Sequence, residues 1–515
     1  MQKLLVILAG FLLCYCSGYS QPKQTPYMLK AASFKHYVEY FNQMEDENIK
    51  QAIPNDSAWA WMQKNVPLFE CPQQNFVEIF YYRWWTLRKH IKKTEKGFVF
   101  TEFLVQRSYA DKYNLIASGL GHHIYESRWL HDKKYMDDNL LVWYRGNNGK
   151  PMNKLRFYSS WNMDAIYNRY LVNRDKTFIA DLLPDLVADY AAWENEKKSS
   201  GGLFWQFDVR DAMEETISGG RREKNPRPSI NAYMYGNANA LAAMTTISGG
   251  LHLSKAMMYV LKADSIKMMV QDKLWNASHE FFEVRKEQGD TLANVREEIG
   301  FIPWYFNLPD SNYNVAWKHL MDKKTFCAPF GITTADRSHP QFRTHGCCNC
   351  EWDGAVWPFA TSQTLTAMAN LLNSHRQKYV ADSNYFDLLE TYVESQYYRG
   401  RPYIGEYLDE KTGYWLKGDE ERSRYYNHST FNDLIITGLV GLRPRADDII
   451  EVKPLLPAGK WDWFCLDNVL YHGKSITIVW DKNGTKYKKG KGLSVFVNGK
   501  KVAGSLRLEK VTGKL

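Results

Sequence analysis

From about residue 35 to residue 440 the chain repeats one pattern: apolar positions recur every third or fourth residue over stretches of a few turns. Residues 179–193, 231–244, 254–261, 360–372, 384–393 and 432–439 all carry it, and this spacing predicts amphipathic helices. The loops between them are rich in Gly, Pro and aromatic residues, as in Gly300–Trp304, Ala328–Ile332 and Trp352–Pro358. Many helices joined by long, decorated loops predict an α/α toroid, in which paired helices ring a central pocket. Near residue 445 the pattern changes. Residues 448–454, 469–472, 475–480 and 493–497 are short and β-branched or alternating, with Asn-Gly turns at Asn483–Gly484 and Asn498–Gly499, which predicts a small all-β module. Asn498–Gly499 between Val497 and Lys500 is a hairpin signal, and a further short strand is expected within 97–104.

A chain of 515 residues exceeds one ordinary core. The expected division is a leader over 1–20, a helical domain over 21–440 and the β module over 441–515. In the leader, Lys3 precedes an apolar run from Leu4 to Leu13, and small residues around Ser17–Ser20 offer a cleavage point before Gln21. Export to the periplasm, cell surface or medium is therefore expected, with a lipid anchor on Cys14 or Cys16 the lesser alternative. The leader's apolar run is too short to span a bilayer, and no other segment is long and apolar enough.

The formal charge of +9 is spread along the chain, and the lysines at 482, 486, 488, 489 and 491 form a solvated face. No basic, aromatic-interleaved helix accompanies them, so a nucleic-acid partner is not expected. Nothing in the sequence sets an oligomeric state. Aromatic content is high at 15%, with 18 Trp and 33 Tyr, which suits both the packing of a large helical ring and the lining of a sugar site.

Two acid-aromatic clusters stand far apart. Phe204–Gly220 contains Trp205, Asp208, Arg210, Asp211 and Glu214; Arg401–Asp409 contains Glu406. Glycosidic hydrolysis needs one carboxyl to protonate the leaving oxygen and another to activate water or attack the sugar, with aromatic rings against the sugar faces. Arg210 between two aspartates is expected to hold one of them ionised and leave the other free to carry a proton. Pro228 is expected to start a helix whose first turn turns Asn231 and Tyr233 towards the pocket. Trp352, Asp353 and Trp357, in a loop before the next helix, suit a sugar-binding wall. Glu126, Arg128 and Trp129 are further candidates for sugar contacts, whereas His122 and His123 read as structural. His428 is the one good base for an epimerase or lyase, a different enzyme class.

The order of these motifs resembles the trehalase, processing α-glucosidase and mannosylglycerate hydrolase-like glycoside hydrolases over roughly residues 75 to 440. It runs from the acid loop through Pro228-Ser-Ile-Asn-Ala232, Trp352-Asp-Gly-Ala-Val-Trp-Pro358 and Gly405-Glu-Tyr-Leu-Asp409 to Tyr426–Asp433. The resemblance implies a mainly α protein, an (α/α)6 barrel of the six-hairpin glycosidase type followed by a small C-terminal β-sandwich. It also implies inverting, exo-acting hydrolysis of α-linked oligosaccharides with no metal or cofactor. Carried over by motif, Glu406 is the base, and the acid is Asp211 or Asp208, with Glu214 a third choice. Glu214, Trp205, Arg210, Asn231, Tyr233, Arg128, Trp129, Trp352, Asp353, Trp357 and His428 are the expected substrate-binding set. The chain departs from that pattern at Ser229, where the group usually has Asp, and in the acid loop. That loop is similar to the one in α-L-rhamnosidases, where Glu is the acid, and the stretch 441–454 resembles the β-sandwich that follows such barrels. His345-Gly-Cys-Cys-Asn-Cys350, with Cys327, resembles instead the zinc-thiolate β-L-arabinofuranosidases, although their Cys-Cys-Pro-Pro pattern is missing; a disulfide or inert thiols are the competing expectation. A barrel that binds glycans without hydrolysing them is the remaining alternative.

Overall fold

The computed structural model describes residues 28–248, 253–346 and 350–515. The expected leader, Cys347 and Cys348 lie outside the described residues. Eleven α-helices are found among the described residues: α1 (Lys35–Gln43), α2 (Asn55–Asn65), α3 (Gln74–Lys89), α4 (Leu120–Ser127), α5 (Lys134–Arg145), α6 (Asn162–Asn173), α7 (Lys176–Lys197), α8 (Pro228–Ile247), α9 (Leu253–Lys273), α10 (Pro358–Ser374) and α11 (Asp382–Ser395). The predicted helices at 179–193, 231–244, 254–261, 360–372 and 384–393 fall inside α7 to α11. The stretch 432–439 forms a short π-helical segment, Leu434–Leu439.

Two kinds of helix are built, and composition separates them. α9 buries Tyr259, Ala263, Ile266 and Val270, one stripe at helical spacing, and exposes the rest, as an outer helix does. α8 and α10 are buried nearly all round, including Ser229, Asn231 and Asn237 on α8 and Ser362, Gln363 and Thr364 on α10. Both begin with Pro at the first turn, where a missing N–H costs nothing. The inner segments neighbour one another in chain order. α4 packs on α6, α6 on α8, α8 on the 3-10 segment Glu298–Phe306, that segment on α10, and α10 on Leu434–Leu439. Close approach within this series requires Gly236, where a Cβ would meet the Phe306 ring at 2.2 Å. The last member is tied to the first by one carboxylate: Glu126 on α4 accepts the backbone N–H groups of Phe431 (3.2 Å), Asn432 (2.8 Å) and Asp433 (3.0 Å).

The C-terminal region is β-rich. A five-stranded antiparallel sheet runs in the order Leu68–Glu70, Trp463–Tyr471, Lys474–Asp481, Gly492–Val497, Lys500–Ser505. A three-stranded sheet joins Leu442–Arg443, Ile449–Val452 and Val511–Lys514. Asn498 and Gly499 have φ of 48° and 79°, the left-handed pair that a two-residue hairpin demands. The edge strand of the larger sheet comes from between α2 and α3, with Leu68 opposite Asp467 and Glu70 opposite Cys465. The strand expected within 97–104 is Gly97–Phe100, paired with Ile91–Thr94. Among the described residues no helix is long and apolar enough to cross a membrane.

Candidate active site

The loops that precede the buried helices meet around a cavity of about 350 Å³. Backbone hydrogen bonds stitch three of the sequence motifs together there. The amide of Trp352 donates to the carbonyl of Glu214 (3.4 Å), and Val356 and Leu408 exchange two bonds of 3.0 Å. The acid loop, the Trp352–Pro358 loop and the Glu406 loop are therefore one wall. Glu214, Arg210, Trp357, Glu406 and His428 line the cavity. Trp357 is held flat between two rings, with Trp352 at 4.5 Å and Tyr407 at 4.6 Å between centroids.

The two glutamates sit in opposed electrostatic surroundings. Glu214 is pushed up to about 7 from the ordinary 4.5, first by burial and then by the charges of Glu406 and Asp208. Glu406, 4% exposed, has Lys417 Nζ at 3.3 Å and Arg422 Nη2 at 3.4 Å from Oε2. One carboxyl is thus set to hold a proton near neutrality while the other is flanked by two cations. This is the division of labour that acid–base hydrolysis requires.

The two aspartates expected in the acid role do not line the cavity. Asp211 is fully buried and accepts from Arg227 Nε at 2.8 Å and from the Ser229 hydroxyl. Asp208 begins the 3-10 turn Asp208–Arg210 and accepts the amide of Val209 at 2.5 Å; burial raises its pKa. Two left-handed residues, Ala212 (φ 60°) and Glu215 (φ 66°), turn the chain so that Glu214 takes the inward position. The expected ion pair of Arg210 with a neighbouring aspartate is also corrected. Its guanidinium lies 3.3 Å over the Phe157 ring centroid, and Arg227 is the cation that meets Asp211.

Other expected contacts do not line this cavity and have partners within the protein. Arg128 and Trp129 both bond Asp433, at 2.8 and 2.6 Å, and Arg128 borders a different cavity with Asp164 and Asn370. Asn231 clamps the start of the acid loop, donating to the carbonyls of Phe204 and Arg227 and accepting the Phe204 amide, each at 2.8 Å. Tyr233 is buried and accepts from Gln363. Trp205 packs under Lys197, whose Nζ is 4.0 Å from the ring centroid. Trp352 is buried and stacks on Trp357, and Asp353 accepts the amide of His345 at 3.0 Å. His428 does reach the cavity. Burial holds its pKa well below 6.5, so it is neutral, and neither ring nitrogen has a partner among the described residues.

Glu102 and Arg422 are among the cavity residues that sequence reasoning missed. Glu102, 4% exposed, accepts from Ser118 Oγ and Tyr426 OH, both at 2.7 Å, and burial pushes it up to about 7. Arg422 reaches Glu406, and Tyr158 caps the wall near Glu214. Of the cysteine cluster, Cys350 faces the cavity, with Sγ 3.9 Å from Glu406 Oε1 and 3.3 Å from Lys417 Nζ. An ammonium in contact with that sulfur is ill suited to a zinc ion in the same place, and burial pushes the thiol up to about 12. Among the described residues no group of three or more His, Cys, Asp or Glu is arranged to hold a metal, and Cys71, Cys327, Cys350 and Cys465 are free thiols.

Residues 112–429 match the family model for the mannosylglycerate hydrolase MGH1-like glycoside hydrolase domain, and residues 442–503 that for the glycosyl hydrolase family 65 C-terminal domain. Among solved structures, one chain named "Sialidase" is 62% identical, with a TM-score of 0.93 over 94% of this chain and 45% of its own. This chain therefore spans less than half of that protein. The GH63 mannosylglycerate hydrolase from Thermus thermophilus, in complex with glucose, is 11% identical over 69% of this chain and 98% of its own, with a TM-score of 0.52. The GH78 rhamnosidase of Bacillus sp. GL1 is 11% identical over 81% and 40%, with a TM-score of 0.56. The last two similarities concern the fold alone.

Proposed function

We propose that this chain, which belongs to the mannosylglycerate hydrolase MGH1-like glycoside hydrolase family, cleaves terminal sugars from oligosaccharides with Glu214 as general acid and Glu406 as general base. The observation that carries this reading is the placement of both glutamates on one small cavity in opposed electrostatic surroundings. Glu214 protonates the glycosidic oxygen; Glu406, beside Lys417 and Arg422, takes a proton from water on the opposite face of the sugar. Trp357, stacked between Trp352 and Tyr407, gives the cavity a rigid aromatic wall, and neutral His428 has nitrogens to spare for a sugar hydroxyl. The closed succession of inner helices supports an (α/α)6 barrel, and the family resemblance supports inversion and α-linked substrates. Inversion requires the two carboxyls to stand about 6.5–9.5 Å apart around the water, against about 5 Å for retention. A cavity of about 350 Å³ suits a terminal sugar and its neighbour rather than a stretch of polymer. Lys3 and the apolar run after it support export.

The similar chain named "Sialidase" brings a sialoside into the set of substrates worth testing, and Arg210, Arg221 and Arg422 on the cavity wall give an acidic sugar a place to bind. The name belongs to a protein of which more than half lies outside the similarity, so the neutral α-linked sugar remains the first expectation.

The test is release of reducing sugar from plant, host and microbial oligosaccharides, sialosides included, by wild type, Glu214→Gln and Glu406→Gln. Each substitution is expected to lower turnover by about 10²–10⁴-fold, and NMR of the fresh product reads the anomer. A Glu214→Gln enzyme as fast as wild type overturns the acid assignment. Binding without hydrolysis by wild type turns the reading to a glycan-binding barrel. Activity lost to chelator and to Cys350→Ala moves the chemistry to the thiol.

A further inference from the structure

The segment 421–426 has two faces. Arg422 and Tyr426 look into the catalytic cavity, while Glu421, Arg424 and Tyr425 look outward into a second, larger cavity of about 730 Å³. This outer cavity is lined by both aromatic and hydrogen-bonding groups. Tyr403 and Tyr425 form its floor, each buried and each fixed by its hydroxyl, Tyr403 to the Gly418 carbonyl (3.2 Å) and Tyr425 to Glu45 (2.8 Å). On its rim, Tyr398 donates to Asp419 at 2.9 Å, and Arg399 pairs with the same carboxylate at 3.0 Å. Arg401 and Arg424 also border the cavity, exposed and with no ion-pair partner among the described residues.

We propose that this outer cavity is a glycan-binding subsite that holds the body of a polysaccharide while a terminal sugar occupies the catalytic cavity. The partly exposed Tyr398 ring, fixed by its hydroxyl, suits the C–H face of a sugar. A planar guanidinium paired with a carboxylate presents donors and acceptors side by side, the arrangement that vicinal hydroxyls match, and a volume of several hundred Å³ is that of a ligand site. The shared segment makes the two cavities neighbours through one strip of backbone. The subsite rests on the glycosidase reading only for its substrate class.

Affinity electrophoresis of the full-length protein through gels containing soluble mannan, arabinan, xylan or polygalacturonan tests it. Wild type and Glu406→Gln are expected to be retarded equally by at least one of these. The exposed double substitution Arg401→Glu/Arg424→Glu, and separately Tyr398→Ala, are expected to weaken that binding about tenfold, equivalent to about 1.4 kcal/mol. Hydrolysis of a small aryl glycoside should be unchanged in both, and KM for the polysaccharide should rise with kcat unaltered. No retardation in any gel overturns the subsite, as does retardation untouched by the surface substitutions. Loss of aryl glycoside hydrolysis in those variants also overturns it, because the groove then acts through the catalytic centre. Undiminished hydrolysis by Glu406→Gln, by contrast, removes the proposed base and leaves the subsite standing.

Discussion

Lys417 holds its ammonium 3.3 Å from Glu406 Oε2, with both side chains at most 5% exposed. Removing one member of a buried ion pair strands the other, at a cost of about 3–5 kcal/mol. Arg422 on the same oxygen softens the loss, so Lys417→Met is expected at the lower end of that range. Thermal unfolding of the variant checks the stability, and its turnover should fall together with that of Glu406→Gln. A variant as stable and as active as wild type removes Lys417 from the site.

The pH dependence of kcat/KM should report Glu214. Its carboxyl, pushed up to about 7 mainly by burial, is protonated below that pH and loses its proton above it. Activity that needs the proton therefore falls on the alkaline side of about 7. In Glu214→Gln the little activity left should show no such limb, whereas Glu102→Gln should keep it. A limb that disappears with Glu102 instead exchanges the roles of the two groups.

Glu102 makes a prediction about the fold. Its carboxyl is also raised to about 7 from 4.5 by burial. The folded protein thus keeps a proton that the unfolded chain releases between about 4.5 and 7, and stability from this group is lost as pH rises through that window. Glu102→Gln cannot ionise. Its unfolding temperature should gain on wild type between about pH 5 and pH 8, by the equivalent of up to about 3 kcal/mol. Equal pH dependence of the two proteins contradicts the prediction.

Asp211 and Glu214, three residues apart, should separate cleanly. Asp211→Asn breaks a fully buried pair with Arg227 and is expected to cost about 3–5 kcal/mol, while the molecules that fold still turn over substrate. Glu214→Gln should do the reverse, with the unfolding temperature kept and activity lost. Calorimetry and a rate measurement on each variant decide the matter.

The helical series and the β module were legible because burial imposes a period. Tyr259, Ala263, Ile266 and Val270 on α9 are spaced as an inward stripe must be, and Asn498–Gly499 meets a turn that needs two left-handed residues. The two acid loops were legible as clusters, and Glu406 takes its place on the cavity wall. The orientation of each acid was not. It depends on Ala212 and Glu215 adopting positive φ, which neither residue type announces. Arg128 and Trp129 look like sugar contacts because an acid, a cation and an indole stand together; their actual partner, Asp433, lies about 300 residues away in the chain. Glu102 hides at the end of an apolar stretch, and one of its two hydroxyl donors, Tyr426, comes from the far end of the helical part.

The strand Leu68–Glu70 pairs with residues 465–467, far along the chain. During synthesis that edge must wait, unpaired, until its partner has been made. Long-range pairing of this kind is slow, because loop closure precedes its reward. A polypeptide cut between the helical and β regions exposes the open edge of the five-stranded sheet, a template for pairing with other chains. The two regions are therefore expected to be produced well only together, with Trp463–Tyr471 the strand that closes on the first.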